Sequence, residues 1–166
     1  YERYPWFASR SKLRPQTEVK TAPVAAYTVG YEGRSLDAFL DHLLQRGIQR
    51  IIDVRRNAYS MKYGFSRTVL RSAAENCDMY YIHVPEVGIE SDKRQNLNTR
   101  ADYDRLLDRN ETELLPTQEV GVRRVGDLLA EKPAALLCYE ADPSMCHRGR
   151  LARTISSEMA LEVVHL

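Results

Sequence analysis

Short apolar runs alternate with amphipathic segments along most of the chain, and this alternation constrains the fold more than any other feature. Each run is rich in β-branched or aromatic residues, and apolar residues at helical spacing follow it. Continuous apolar strands separated by helices are typical of a parallel sheet covered on both faces. We therefore predict one α/β domain with a mostly parallel sheet of about five strands and helices on both faces. The predicted strands are Val24–Val29, Gln49–Val54, Met79–Val84, Ala134–Glu140 and Leu161–Leu166.

Several residues mark where the helices begin and end. Ser35 is predicted to cap the first helix, and Gly47 is the left-handed residue expected after its last turn. Ser66 is predicted to cap the second helix. Asp142 and Pro143 predict the start of the last helix, as an N-cap followed by proline at the first helical position. Two further helices are predicted near residues 100–109 and 118–131.

Composition and charge exclude several classes of protein. The 166 residues fit one domain, and 43% hydrophobic with 28% charged residues is typical of a globular chain. The net charge of +1 gives no bulk attraction to a polyanion, and no apolar run is long enough to span a bilayer. We expect no membrane partner, and the sequence is compatible with a monomer or a homo-oligomer. The three cysteines are too few and odd in number for a disulfide framework, which favours a cytoplasmic location.

Residues 1–23 differ from the rest of the chain. They are rich in proline and basic residues, so we predict an irregular basic arm or linker over 1–23 and the α/β domain over 24–166. The chain begins at Tyr1 rather than at methionine, which suggests a segment of a longer product. The arm is either a plain tail or a partner-binding segment with Tyr4, Trp6 and Phe7 as contacts.

Polar and glycine residues follow four of the predicted strands. Right-handed crossovers place the carboxyl ends of parallel strands at one edge of the sheet, where α/β proteins bind ligands. We therefore expect a polar cleft for an anionic group there, such as a phosphorylated small molecule or a nucleotide. The predicted ligand-binding residues are Arg55 and Arg148 as anion clamps, Gly30 for backbone approach, Tyr31 as a stacking ring and Glu86 facing the cleft. Asp53 is predicted to face away from Arg55 and to cap a loop.

The segment from Cys138 to Arg148 is the most informative for chemistry. We predict Cys146 as a nucleophile, with Glu140 or His147 moving a proton. If Cys146 is partly exposed, the helix N-terminus and Arg148 should lower its pKa. Cys138 and Glu140 are two residues apart on a strand and should face the same side. The alternative is structural, with both cysteines packed in the core and His147 at its edge. Phosphatase chemistry is disfavoured, because no arginine follows either cysteine by six positions.

The same segment holds four metal-ligand types within ten residues. Adjacent Cys146 and His147 on a helix would point roughly 100° apart, which hinders joint ligation. No metal ligand or cofactor is therefore assigned. A metal or redox sensor through Cys138, Cys146 and His147 remains an alternative.

A second alternative is a non-catalytic nucleic-acid-binding module. Residues Arg50–Arg71 are strongly basic, and aromatic residues are interleaved with the bases, as in grooves that bind phosphates and stack on bases. The competing interpretation is a solvated basic face balanced by the acidic stretch from Cys77 to Val120.

An ordered set of short motifs runs through the domain: residues 28–33 (TVGYEG), 53–55 (DVR), 81–88 (YIHVPEVG), 137–140 (LCYE) and 146–148 (CHR). This set resembles the domain-of-unknown-function family 488, small α/β proteins mostly from bacteria and archaea. The resemblance runs from about residue 27 to residue 159. It implies the fold and the positions of the site, and it implies no particular activity.

Overall fold

The computed structural model describes residues 20–90, 93 and 97–166, and within them the chain forms one five-stranded sheet. The strand order is β3-β2-β4-β1-β5, and every pairing is parallel. The predicted α/β fold with a parallel five-stranded sheet is confirmed. The strands are β1 Ala26–Gly30, β2 Arg50–Asp53, β3 Tyr80–His83, β4 Ala134–Cys138 and β5 Val163–His165.

The α-helices of the described residues are α1 Leu36–Gln45, α2 Arg67–Glu75, α3 Arg100–Arg109, α4 Glu119–Glu131 and α5 His147–Met159. Ser35 caps α1 as predicted, since its side chain accepts from the Ala38 backbone N at 3.2 Å. Gly47 has φ +72°, the left-handed conformation expected after a helix end. Ser66 is the N-cap of α2 but makes no side-chain cap bond.

The start of α5 differs from the prediction. Pro143–Met145 forms a separate 3₁₀ turn, capped by the Asp142 side chain. Cys146 then has extended backbone, with φ −135° and ψ 141°, and α5 begins only at His147. The break places Cys146 outside the helix, at the joint between the turn and α5.

Helices cover both faces of the sheet. On one face, Phe39 and Leu43 of α1 and Leu70 of α2 pack against strand residues that include Val29 and Ile51. On the other face, a second core joins α4 and α5 to the sheet; among its members are Val125, Leu129, Leu151, Ile155, Ile52 and Leu136. The two cores use alternate residues of β2 and β4, as continuous apolar strands of a covered parallel sheet do.

The chain leaves β2 and β4 in opposite directions. After β2 it passes outward to β3, and after β4 it passes across β1 to β5. Neighbouring parallel strands whose connections diverge leave a topological switch point at their carboxyl ends. Cys138, which ends β4, and Val54, which follows β2, both lie there.

The predicted N-terminal arm falls largely on residues that are not described. Residues 1–19 of the predicted arm, with Tyr4, Trp6 and Phe7, lie outside the described residues.

Across the described ranges, no helix combines the length and the apolar character needed to cross a bilayer.

Candidate metal centre at the sheet edge

Three metal-ligating side chains meet at the switch point. The sulfur atoms of Cys138 and Cys146 and one ring nitrogen of His147 all lie within 4.8 Å of one another. His147 Nδ1 is 3.7 Å from Cys138 Sγ and 3.8 Å from Cys146 Sγ. All three residues are buried, with at most 2% exposure. The break before α5 is what brings them together, because it turns the Cys146 side chain back towards the end of β4.

The other ring nitrogen of His147 fixes how the imidazole is oriented. Nε2 lies 3.0 Å from the carbonyl oxygen of Val54. A carbonyl can only accept, so Nε2 carries a hydrogen, and the lone pair of Nδ1 faces the two sulfurs in the neutral form of the imidazole that can bind a metal. Metal-ligating histidines are held in this way by a backbone carbonyl or a carboxylate. Sequence analysis missed Val54, because the group that acts is a backbone carbonyl.

Glu140 approaches the same cluster from the more exposed side. The Cys138 thiol donates to Glu140 Oε2 at 3.4 Å, so these two side chains share one side as predicted. Glu140 is half-buried, whereas the thiols and the imidazole are fully enclosed. A carboxylate oxygen is therefore within reach of the cluster.

The condition for a lowered Cys146 pKa, partial exposure of the thiol, is not met. Burial is the largest cause that raises the pKa of Cys146 well above its ordinary value, and the adjacent Cys138 thiol and Glu140 carboxylate add to it. Arg148 acts in the opposite direction without outweighing burial. The helix N-terminus was expected to favour a thiolate, but that effect requires partial exposure, and Cys146 is 2% exposed. In the free protein Cys146 is therefore a protonated thiol at neutral pH.

The argument that separated Cys146 from His147 also fails. A divergence of roughly 100° holds for two neighbours inside an α-helix. Cys146 has extended backbone, so the two side chains converge on one point instead.

Arg148 contacts the loop after β4 rather than an open cleft. It is 1% exposed, and its two terminal nitrogens donate to the backbone carbonyls of Glu140, at 2.6 Å, and Ala141, at 3.0 Å. Its Nε has no partner among the described residues. These bonds hold the loop against α5 and place a buried positive charge beside the cysteine cluster. The predicted role as an anion clamp finds no support in these contacts.

Arg55 is likewise engaged inside the protein. Its guanidinium donates to both carboxylate oxygens of Asp53, at 2.8 and 2.6 Å, and to the Tyr31 hydroxyl at 2.9 Å. The prediction that Asp53 faces away from Arg55 is wrong, because the two side chains form an ion pair. Asp53 also accepts a hydrogen bond from the Arg55 backbone N, as a capping residue does. Tyr81 donates to the same carboxylate at 2.5 Å. The group is a buried ion pair with satisfied hydrogen bonds.

The other predicted ligand-binding residues lie in different surroundings. Tyr31 is 3% exposed and its ring stacks on Phe65 at 4.2 Å, so it supports the sheet edge from inside. A Cβ on Gly30 would lie 1.9 Å from the Glu140 carbonyl oxygen, so this glycine permits close approach of the loop after β4 rather than of an anion. Glu86 lines a small cavity with Arg56 and Asn110.

Together, the fold and the cluster define a class: an α/β protein of parallel-sheet architecture with a buried centre of two thiols and one imidazole at the carboxyl edge of its sheet. The chain belongs to the family described as domain of unknown function DUF488, whose model matches residues 35–155, and the resemblance seen in the motifs is thereby confirmed. The matched range includes Cys138, Glu140, Cys146 and His147. Among curated proteins and among solved structures, no match to the chain was found.

Proposed function

We propose that this protein binds a thiophilic divalent cation, with zinc as the first candidate, on Cys138, Cys146 and His147. The observation that supports the proposal is the approach of three donor atoms to within 4.8 Å of one another. Cysteine and histidine are the ligands that zinc prefers in proteins. The centre would join the end of β4 to the start of α5 and so fix the loop between them. Metal binding would then add to the stability of the folded protein.

The spacing of the donors supports a tetrahedral ion. Zinc lies about 2.3 Å from sulfur and 2.0–2.1 Å from nitrogen, so two ligands of a tetrahedral site are roughly 3.5–3.8 Å apart. The two Sγ–Nδ1 distances, 3.7 and 3.8 Å, match this spacing. A bound ion would thus require little movement of either sulfur relative to the imidazole.

Glu140 is the proposed fourth ligand, since its carboxylate already contacts Cys138 Sγ. Two thiolates and one carboxylate around a divalent ion leave one net negative charge. Arg148 supplies the opposite charge, being buried and close enough to act on Cys146. This charge balance favours a stable buried centre, because an uncompensated buried charge is costly.

The hypothesis of an anion-binding cleft with Cys146, Glu140 and His147 as catalytic residues stays a prediction. The contacts do not favour it, because Arg55 and Arg148 already donate to protein groups and Cys146 is a buried thiol. A redox role for the two sulfurs uses the same residues and competes with the metal for the same thiols.

Cobalt substitution tests the proposal. Co²⁺ added to metal-free protein should saturate at one equivalent and give the absorption bands of a tetrahedral site with thiolate-to-metal charge transfer. The variants Cys138→Ser and His147→Ala should lose these bands, whereas Cys77→Ser should keep them because Cys77 is buried in the core near α2 and is not part of the cluster. Octahedral spectra without charge transfer would refute thiolate ligation.

A further inference from the structure

A loop of residues 57–64 displays three large side chains to solvent. Tyr59 is 70% exposed, Met61 94% and Tyr63 87%. Single exposed apolar residues are ordinary, but three within five residues of one loop concentrate apolar surface in a way that suggests an interaction site. Nothing in the proposed metal centre requires these side chains.

The backbone of this loop is fixed although its side chains are exposed. Ser60 N donates to Ser66 Oγ, and Ser66 Oγ donates to Ser60 O, both at 3.1 Å. The Arg67 backbone N donates to the Ala58 carbonyl at 2.8 Å. The backbone that carries the rings is therefore held by hydrogen bonds, which lowers the ordering cost of binding a partner.

The loop also contacts the sheet edge beside the metal centre. The Tyr31 hydroxyl donates to Ser60 Oγ at 3.3 Å, and the Tyr31 ring meets the edge of Tyr139 with centroids 5.3 Å apart. Tyr139 directly follows Cys138 and is 44% exposed. A third solvent-facing tyrosine thus lies between the loop and the cluster.

The chain segment that carries the loop is positively charged. Residues 54–74 contain five basic and no acidic side chains, and of these Arg55 is neutralised by Asp53. The other four are exposed or half-buried: Arg56, Lys62, Arg67 and Arg71. Two of them face acids, Arg56 with Glu90 at 3.6 Å and Arg71 with Glu75 at 3.8 Å. Exposed pairs at such distances hold their partners weakly, so the cations remain available to a polyanion.

We infer that this surface, residues 56–71 together with Tyr139, binds single-stranded nucleic acid. The cations meet the phosphates, and the unpaired bases stack on Tyr59, Tyr63 and Tyr139. A duplex offers the phosphates but hides the faces of its bases. The positive charge favours this occupant over an apolar protein surface, which would gain nothing from four cations.

Fluorescence anisotropy with labelled 20-nucleotide single-stranded RNA, single-stranded DNA and duplex DNA tests the inference. We expect single-strand dissociation constants of roughly 1–100 µM at low salt, with a log–log salt slope between about −1.5 and −3. The duplex should bind at least tenfold more weakly. Tyr59→Ala and Tyr63→Ala should each weaken single-strand binding about fivefold or more, and the Phe variants should retain it.

Tyr80→Ala is the matched control. Tyr80 is 57% exposed, but it is the first residue of β3 and therefore lies at the amino ends of the strands, whereas the loop follows the carboxyl end of β2. It should leave affinity unchanged. The inference is overturned if no oligonucleotide binds at low salt, if duplex binds as well as single strands, or if the loop variants bind like the wild type. Self-association that depends on Tyr59 and Tyr63, without oligonucleotide binding, would assign the surface to a second copy of the chain and also overturn it. Metal content, measured separately, is independent of every outcome.

Discussion

His147 Nε2 lies 3.0 Å from the Val54 carbonyl oxygen, so an imidazole at the start of α5 is held by the backbone at the end of β2. This bond crosses the switch point between β2 and β4. It also leaves Nδ1 facing two sulfur atoms. The proposed metal centre is thus oriented by the sheet itself, and the sequence-distant strand β2 is part of it.

Metal binding should stabilise the protein against heat. A ligand at one hundred times its dissociation constant adds about 2.7 kcal/mol. For a chain of this length that corresponds to a rise of roughly 5–10 °C in Tm. Differential scanning calorimetry of metal-free protein with and without zinc measures the shift. His147→Ala should abolish the shift, and an equal shift in that variant would place the ion elsewhere.

The thiols should differ in their response to zinc. All three cysteines are buried, so iodoacetamide should label the folded protein slowly. Zinc should slow labelling of Cys138 and Cys146 at least tenfold more than it slows labelling of Cys77, which responds only to the overall gain in stability. Mass spectrometry of digests follows each site in one sample. Rapid labelling of Cys146 at neutral pH would instead support the nucleophile predicted from the sequence.

Metal affinity should rise with pH. Burial raises the pKa of Cys146, so the metal-free protein holds the thiol proton at neutral pH and binding must release it. Each unit of acidification should weaken binding about tenfold for one proton released, or a hundredfold for two. Titrations in two buffers of different ionisation enthalpy count the protons. A pH-independent affinity would contradict thiolate ligation.

The same shift predicts how the metal-free protein responds to alkali. A raised pKa in the folded state means that the folded protein holds the proton more tightly than the unfolded chain. Cys146 therefore contributes stability that is complete below the unfolded thiol pKa of about 8.5 and is lost as pH rises towards the folded value. Urea midpoints should fall above pH 8.5 in wild type and fall less in Cys146→Ala. A parallel fall in both proteins would show that another group titrates.

The buried pair of Asp53 and Arg55 should be structural. Asp53→Asn keeps the shape but leaves a guanidinium buried without its counter-charge, at a cost of about 3–5 kcal/mol. Urea unfolding measures the loss. Glu90→Gln is the control, because its partner Arg56 is exposed and the pair should contribute less than about 1 kcal/mol. Enhanced binding of phosphate by Asp53→Asn at wild-type stability would restore Arg55 as an anion clamp.

The fold was predictable because its causes are local and repeated. The apolar runs in β1, β2 and β4 are typical of a parallel sheet that is covered on both faces. Ser35 and Gly47 mark the two ends of α1. Strand ends were less predictable. β4 stops at Cys138 because the chain then turns to place Glu140 against Gly30.

The site was predictable as a location but not as a geometry. Cys138, Glu140, Cys146 and His147 lie together at one edge, as expected from a parallel sheet with right-handed crossovers, whereas the strand order that makes this a switch point was not predicted. The orientation of Cys146 depends on a single break in the backbone before α5, which the Asp142-Pro143 signal does not reveal. The partners of Arg55 and Arg148 could not be predicted from the sequence. Arg55 meets Asp53 because of the local path of the chain, and Arg148 meets backbone carbonyls, which every residue carries.

Glu140 should strengthen zinc binding at the centre, although the centre should still bind zinc without it. Glu140→Gln retains the two thiols and the imidazole but removes the charged fourth ligand, so zinc affinity should fall about 10- to 100-fold. Competition with a chromophoric chelator measures the change. Glu158→Gln is the control, an exposed glutamate on α5. Equal affinities in both variants would exclude Glu140 from the coordination sphere.

The most direct test is the metal content of the protein after zinc loading and exhaustive dialysis. Inductively coupled plasma mass spectrometry of untagged wild type should give about one zinc per chain. Cys138→Ser and Cys146→Ser should each retain less than about a tenth of that amount, since each variant removes one of the two thiolates on which tight zinc binding depends. Wild-type content below a tenth of an equivalent, or equal content in wild type and both variants, would contradict a metal centre at the edge of this sheet.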